Sequence, residues 1–325
     1  MEPHPLLAKA NGRSISKHCV KPSVIEVKNL QKRYGQTVAV EDISFRVETG
    51  EIFVLVGPNG AGKTTIVECM EGLRVPDGGL VRILGLDPRK DRARIFQQVG
   101  VQLQEDQLLP RQKLIEALKV FASFYADPFP YKELMEACGL SGLENKFFGK
   151  LSGGQKRRFM LVLALIGRPK LVMLDEPTSG LDPQARFNIW SMLEQFKREG
   201  MTIFLTTHDM NEAEEHADTL CMVDHGKVIA MGAPKELLQE NQMGVMVKIP
   251  DQRNCALDEL ENIPHLGKLE KVQSDYLLYG IDSEFLPSIH RYVQAKGIPL
   301  DEIETRKANL EDLYLFMTGR VYRKE

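Results

Sequence analysis

The sequence predicts an α/β fold built on a mostly parallel sheet with helices on both faces, and three observations predict it. Apolar strand-length runs alternate with amphipathic helical stretches over most of the chain. One run, EIFVLVG, passes through a glycine-rich loop directly into a helical pattern. Two others, LVMLD and MTIFLTTHD, are apolar throughout, as strands buried on both faces must be.

Taken in order, VIEVKNL and TVAVEDISFRV read as strands that form an antiparallel front end, a smaller β subdomain beside the main sheet. EIFVLVG follows as a buried strand. A helix over TTIVECMEGLR then places Ile66, Val67, Met70 and Leu73 on one face. GGLVRILGLD reads as a second short hairpin and VGVQL as a strand, with helices expected over 112–125, 131–138 and 153–166. LVMLD, the helix PQARFNIWSMLEQFKREG, the strand MTIFLTTHD and the helix MNEAEEHA continue the alternation. TLCMVDHG, KVIAMG and the short helix PKELLQE close it near Asn241. The remainder reads as a compact α+β module: strand GVMVKI, two strands within KLEKVQSDYLLYGI, helix EFLPSIHRYVQAKG, a strand near DEIET and a last helix, LEDLYLFMTGR. The expected organisation is a flexible basic leader over 1–23, a nucleotide-binding domain over 24–240 and an accessory module over 241–325.

Composition narrows the function classes. At 325 residues, 43% hydrophobic and 27% charged, the chain is an ordinary globular protein. A formal net charge of −3 argues against a dedicated nucleic-acid binder. No apolar run reaches the roughly 18 residues of a membrane span, so contact with a membrane must go through a partner or a surface. The first 23 residues have no apolar signal-peptide core; they read as a leader or as a basic arm for a partner or anionic lipid. Cys19, Cys69, Cys138, Cys221 and Cys255 are scattered and form no pair motif, which fits reduced thiols rather than a disulfide framework or a zinc site.

Gly57-Pro58-Asn59-Gly60-Ala61-Gly62-Lys63-Thr64, followed by Thr65, fits G-x-x-x-x-G-K-[ST]. The glycines let backbone N–H groups curl around a phosphate, and the helix that follows turns its partly positive end to the same anion. Lys63 is placed for the β- and γ-oxygens, and the Thr64 hydroxyl for Mg²⁺. The motif indicates nucleotide triphosphate binding and does not say what the nucleotide drives.

Leu151-Ser152-Gly153-Gly154-Gln155 precedes a helix, and LVMLDEPTSGLD follows about twenty residues later. With the phosphate loop, these segments resemble the ATP-binding-cassette (ABC) ATPases over 24–239, with the motifs in the family's order. The resemblance implies a P-loop NTPase with a RecA-like sheet, an antiparallel β subdomain and a helical subdomain. It assigns ATP and Mg²⁺ as ligands, Tyr34 as the ring that stacks on adenine, Asp175 as the Mg²⁺-holding aspartate and Glu176 as the carboxylate that polarises the attacking water. Gln104 falls at the γ-phosphate and Mg²⁺ sensor, although Gln97, Gln98, Gln102 and Gln107 stand close by. His208 corresponds to the switch histidine, and Ser179-Gly180-Leu181-Asp182 to the loop that crosses to a partner.

The resemblance also implies a head-to-tail dimer, with Ser152, Gly153, Gly154 and Gln155 of one chain capping the ATP held by Lys63 of the other, and a homodimer is expected. Two uses of that dimer compete. One is the motor of a transporter docked on separate transmembrane permease subunits; the other is a soluble non-transport ATPase acting on ribosomes or DNA. The single cassette and the absence of a long heptad array between the phosphate loop and LSGGQ favour the transporter. The chain is then cytoplasmic, peripheral on the inner face of the cell membrane, and reaches the membrane only through its permease. GLRVPDGGLVRILGLDP, IEALKVFASFYADP and the closing ANLEDLYLFMTGR resemble the daunorubicin/drug-resistance type that powers ABC-2 exporters. Gln112-Lys113 departs from the Thr-Val-like helix start common there. The segment 104–131 is the expected groove for the permease's coupling helix.

Overall fold

The computed structural model describes residues 22–102, 108–251, 257–272 and 274–319. The chain opens with β1 (Ser23–Tyr34) and β2 (Thr37–Glu48), an antiparallel hairpin, and enters the buried strand β3 (Ile52–Val56). Helix α1 (Lys63–Met70) leaves the glycine-rich loop. It ends three residues before the expected Leu73: Gly72 takes φ +70°, and a Cβ there would stand 2.4 Å from the Pro88 carbonyl oxygen. Strand β4 (Gly78–Ile83) follows. The expected second hairpin at GGLVRILGLD is not formed; β4 pairs with β1, completing a sheet of order β2-β1-β4, and only a tight Ile83–Leu86 turn follows it.

Next come α2 (Arg92–Phe96), a short helix the sequence did not announce, and β5 (Val99–Gln102). The helical region holds α3 (Leu114–Ala122), α4 (Tyr131–Ala137) and α5 (Gly153–Leu165). The alternation then resumes with β6 (Leu171–Asp175), α6 (Pro183–Arg198), β7 (Thr202–Thr207), α7 (Met210–His216), β8 (Thr219–Asp224), β9 (Lys227–Gly232) and α8 (Pro234–Glu240). The main sheet runs β5-β6-β7-β3-β8-β9, parallel except for β9. Strand β3 lies inside this sheet, so the loop after it opens at the carboxyl ends of the strands, where α/β sheets bind ligands.

Strand period 2 divides the core between the two faces of β3. Ile52, Val54 and Val56 face a cluster with Phe159, Leu163, Ile189 and Leu193 of the helices. Phe53 and Leu55 face the β1–β2–β4 sheet, where Phe45, Phe53 and Phe204 stack with centroids 5.2 and 5.9 Å from Phe53. Cys69, Cys138 and Cys221 are buried free thiols, and burial pushes them up to about 11, 12 and 12 respectively, which keeps them protonated and unreactive. Cys19 and Cys255 lie outside the described residues.

The tail contributes β10 (Val245–Pro250), α9 (Leu257–Glu261), β11 (Leu266–Val272), β12 (Asp275–Gly280), α10 (Phe285–Lys296), β13 (Glu304–Lys307) and α11 (Leu310–Thr318). Its antiparallel sheet, β11-β12-β10-β13, covers one face with α9 and α10 through Val247, Ile249, Leu278, Phe285 and Ile289. The other face does not stand alone. Met246 and Tyr279 join Leu310, Leu313 and Tyr314 of α11 in the same cluster as Met210, Ala213, Leu237 and Leu238 of α7 and α8. Glu214 of α7 accepts a 2.9 Å hydrogen bond from the Leu310 N–H, satisfying a first-turn donor of α11. Asp312, buried, takes a two-pronged contact from Arg306 at 2.6 and 2.8 Å and a hydrogen bond from the Tyr279 hydroxyl at 3.2 Å.

Candidate functional site

The phosphate loop is held open by contacts that only glycine permits. A Cβ on Gly57 would meet the Val223 carbonyl oxygen at 2.2 Å, so β3 and β8 close on the loop's first residue. Gly62 takes φ +102°, and a Cβ there would lie 2.4 Å from the Ala39 carbonyl oxygen. Because Ala39 follows the β1–β2 turn, the hairpin tip that carries Tyr34 abuts the loop. Asn59 and Gly60 are exposed, Pro58 is half-buried and Ala61 buried, its carbonyl accepting from Gly226 N at 3.0 Å. Helix α1 has no side-chain cap, so the first-turn N–H groups of Lys63, Thr64 and Thr65 are left to whatever anion sits before them.

Lys63 is 6% exposed. Its ammonium donates to the carbonyls of Gly57 at 2.7 Å and Pro58 at 3.2 Å and lies 3.9 Å from Glu176 Oε1. Burial holds it below the usual lysine range, against the pull of Glu176 and then Asp175. Glu176 leaves the end of β6 with φ +47°, a left-handed turn that a non-glycine residue adopts only at a cost of about 1–3 kcal/mol. That turn aims its carboxylate across the loop: Oε2 lies 3.2 Å from His208 Nδ1. Lys63, Glu176 and His208 therefore form one contiguous group.

Asp175 sits beneath them, 7% exposed. Burial raises its carboxyl above the usual aspartate range; Thr206 opposes this by hydrogen bonding, Glu176 adds to it, and Lys63 and Arg157 oppose it. Thr206 is a site residue the motifs did not reveal. Its hydroxyl donates to Asp175 Oδ1 and accepts from the Glu176 N–H at 3.1 Å, fixing both acids at once. The signal lay in register: parallel pairing of β6 and β7 sets Asp175 opposite Thr206. Glu212, Thr178 and Arg186 were also missed, since they gather behind the motifs.

Of the residues expected to hold a divalent cation, Asp175 and Thr64 lie among those described. No group of three or more His, Cys, Asp or Glu side chains suited to a metal occurs among the described residues. That donor set suits Mg²⁺, which takes one or two protein oxygens and completes its shell with water and phosphate. Gln104 and Gln107 lie outside the described residues. Of the other glutamines considered, Gln102 turns inward, its amide donating to the Arg157 carbonyl at 3.3 Å.

The remaining candidates are held by other contacts. Tyr34 is 41% exposed, with the Lys32 ammonium 5.6 Å and the Arg74 guanidinium 5.9 Å from its ring centre. Ser152 caps α5: its hydroxyl accepts from Gln155 N and Gln155 Oε1 accepts from Ser152 N, both at 3.2 Å. Ser152 and Gly153 are exposed, and a Cβ on Gly153 would meet nothing within 4 Å, so this face is open for a second body. Gly154 packs inward, where a Cβ would stand 3.0 Å from Leu181. Asp182 caps α6 by accepting from Ala185 N at 2.9 Å, which commits one of its oxygens within the chain.

Glu71, at the end of α1, adds a buried acid to this region. It is 5% exposed, and burial, then the charges of Asp175 and Glu68, push its carboxyl up to about 7, with Arg92 opposing. The folded chain therefore binds this proton more tightly than the unfolded chain. Its contribution is neutral below pH 4.5 and increasingly destabilising as pH rises to about 7. Glu71→Gln should accordingly gain stability relative to wild type between pH 5 and 8, by up to about 3 kcal/mol. Urea unfolding at both pH values measures this; a pH-independent difference would refute it.

Comparison with known proteins bears on this geometry. A family model described as ABC transporter matches residues 40–179, and one described as an AAA domain matches 147–214. The chain is 40% identical over 305 residues to the Nod factor export ATP-binding protein I of Burkholderia orbicola (strain AU 1054), covering 91% of this chain and 97% of the relative. The protein of the same name from Rhizobium meliloti is 36% identical over 330 residues, with 98% and 96% covered. A solved ATP-binding subunit of an ABC transporter superposes with TM-score 0.63 at 29% identity, covering 73% of this chain and 98% of that one. A dimeric ATP-binding cassette bound to ADP and Pi superposes with TM-score 0.58 at 23% identity, covering 64% and 98%, a likeness of fold.

Proposed function

The chain belongs to the ABC transporter ATP-binding family, an ATPase by that membership, and from this premise we propose that it drives an ABC-2-type exporter as a head-to-tail homodimer. One observation carries the hydrolytic part: the Glu176 carboxylate is held between Lys63 and His208, at 3.9 and 3.2 Å, beside the mouth of the phosphate loop. In this reading Glu176 orients the attacking water and accepts its proton, while Lys63 and the loop's N–H groups take up charge on the β- and γ-oxygens. His208 contacts the γ-phosphate, and Gln104 senses it. Thr64 and Asp175 would hold Mg²⁺, which would supply charge neutralisation at the phosphates. Tyr34 stacks on the adenine.

Ser152, Gly153, Gly154 and Gln155, with the loop ending at Asp182, complete the nucleotide site of a second copy. The exposed, open face at Ser152 and Gly153 supports that role. Export is supported by relatives named for Nod factor export over nearly the whole chain, and the ABC-2 type by the closing ANLEDLYLFMTGR. Residues 24–240 serve as the cassette and 241–325 as an accessory module. No helix among the described residues is long and apolar enough to cross a membrane, so the transport path is assigned to separate permease subunits. They would dock on the helical region, where Val120 and Phe124 are exposed, and hold the chain on the inner face of the cell membrane.

Affinity purification of the tagged chain from detergent-solubilised membranes tests this. The expected result is co-recovery of a polytopic membrane protein that raises ATP turnover on reconstitution. Recovery with ribosomes or nucleoid and never with membranes would overturn it.

A further inference from the structure

Behind the catalytic group lies a buried acid with no part in phosphate chemistry. Glu212, on α7, is 6% exposed, and a carboxylate so placed needs partners to offset its desolvation. It has three, each from a different segment. The Thr178 hydroxyl, two residues beyond Glu176, donates to Oε2 at 2.7 Å. The Thr207 hydroxyl, immediately before His208, donates to the same oxygen at 3.4 Å. Arg186 of α6 sets its Nε 3.1 Å from Oε1.

These contacts reach the backbone on both sides of the switch residue. Thr207 Oγ1 accepts from the Asp209 N–H at 2.9 Å, and Asp209 caps α7 by accepting from the N–H groups of Asn211 and Glu212. The turn holding Thr178 is closed by Ser179 N donating to the Glu176 carbonyl at 3.3 Å. One carboxylate thus ties the turn after Glu176 to the strand end before His208.

We propose that Glu212 is a positioning residue for ATP hydrolysis: it locks these two segments together and so sets the 3.2 Å approach of His208 to Glu176. This rests on the roles assigned to Glu176 and His208 above. Glu212 touches neither the loop nor the reacting groups, so its loss lowers turnover without weakening nucleotide binding. Arg186 extends the same tie to α6, directly behind the loop ending at Asp182.

The test compares steady-state ATPase kinetics of Glu212→Gln and Thr178→Val with wild type. Gln keeps an acceptor for Thr178 and loses the ion pair with Arg186; Val keeps the shape of Thr and loses the donor. Both should lower kcat about tenfold or more with KM for ATP within about twofold. The double variant should be no slower than the slower single, as expected of groups in one network. If Glu212→Gln does not fold, Thr178→Val carries the test alone. Unchanged kcat in the folded variants, or KM rising in step with the fall in kcat, would overturn the proposal. His208→Ala separates this from the underlying reading. A normal rate in that variant removes the switch role itself, whereas a slow His208→Ala beside a normal Thr178→Val removes only the role of Glu212.

Discussion

Glu176→Gln is expected to slow ATP hydrolysis by about 100-fold or more while leaving nucleotide affinity within a few-fold of wild type. The amide preserves the size of the side chain and can still face His208 and Lys63, but it cannot accept the proton of an attacking water. Lys63, 3.9 Å away, loses one of two nearby negative charges, which favours its engagement with phosphate. An ATP complex that cannot turn over should accumulate as the closed dimer. Light scattering after gel filtration with saturating ATP should therefore give a doubled mass for the variant. A monomer that hydrolyses ATP at the wild-type rate would remove Glu176 from the chemistry.

Gly62→Ala should abolish nucleotide binding at concentrations that saturate the wild type. Two costs coincide there: φ of +102°, and a Cβ 2.4 Å from the Ala39 carbonyl oxygen. That oxygen is backbone rather than a flexible side-chain end, so the loop or the β2 strand must move, at a cost of about 2–4 kcal/mol. Gly60→Ala is the control. It also has positive φ, +79°, but nothing within 4 Å of its Cβ, so it should cost about 1–2 kcal/mol and retain measurable binding. Titration of each variant with a fluorescent ATP analogue reads the contrast; equal losses would refute the steric argument.

Much of this was legible from sequence because local physics decided it. Strands such as LVMLD and TIFLTT are buried at every position, so their apolar runs could only be interior strands. Ser152 and Asp182 stand where helix starts need caps, and each caps one. The illegible parts depended on pairing between distant segments. GGLVRILGLD looks like a hairpin because of its turn at Leu84-Gly85, yet β4 finds its partner in β1, some fifty residues back. Thr206 resembles any β-branched strand residue until register sets it against Asp175. Glu212 looks like one more solvated acid in NEAEEH, since nothing local says which of its three glutamates faces inward. Only the packing of α7 against the main sheet decides that.

The Glu214 contact with α11 bears on how this chain can be cut and still persist. A protein truncated before Asn309 loses the helix covering Met210, Ala213, Leu237 and Leu238, and leaves Glu214 without the N–H it binds. Such a fragment, with every nucleotide motif intact, would carry a greasy, water-facing scar beside α7 and be expected to be degraded or to aggregate. The last helix is thus a lid on the enzyme's own interior. A nonsense mutation there is expected to be as damaging as one in the phosphate loop, for reasons of survival in the cell rather than chemistry.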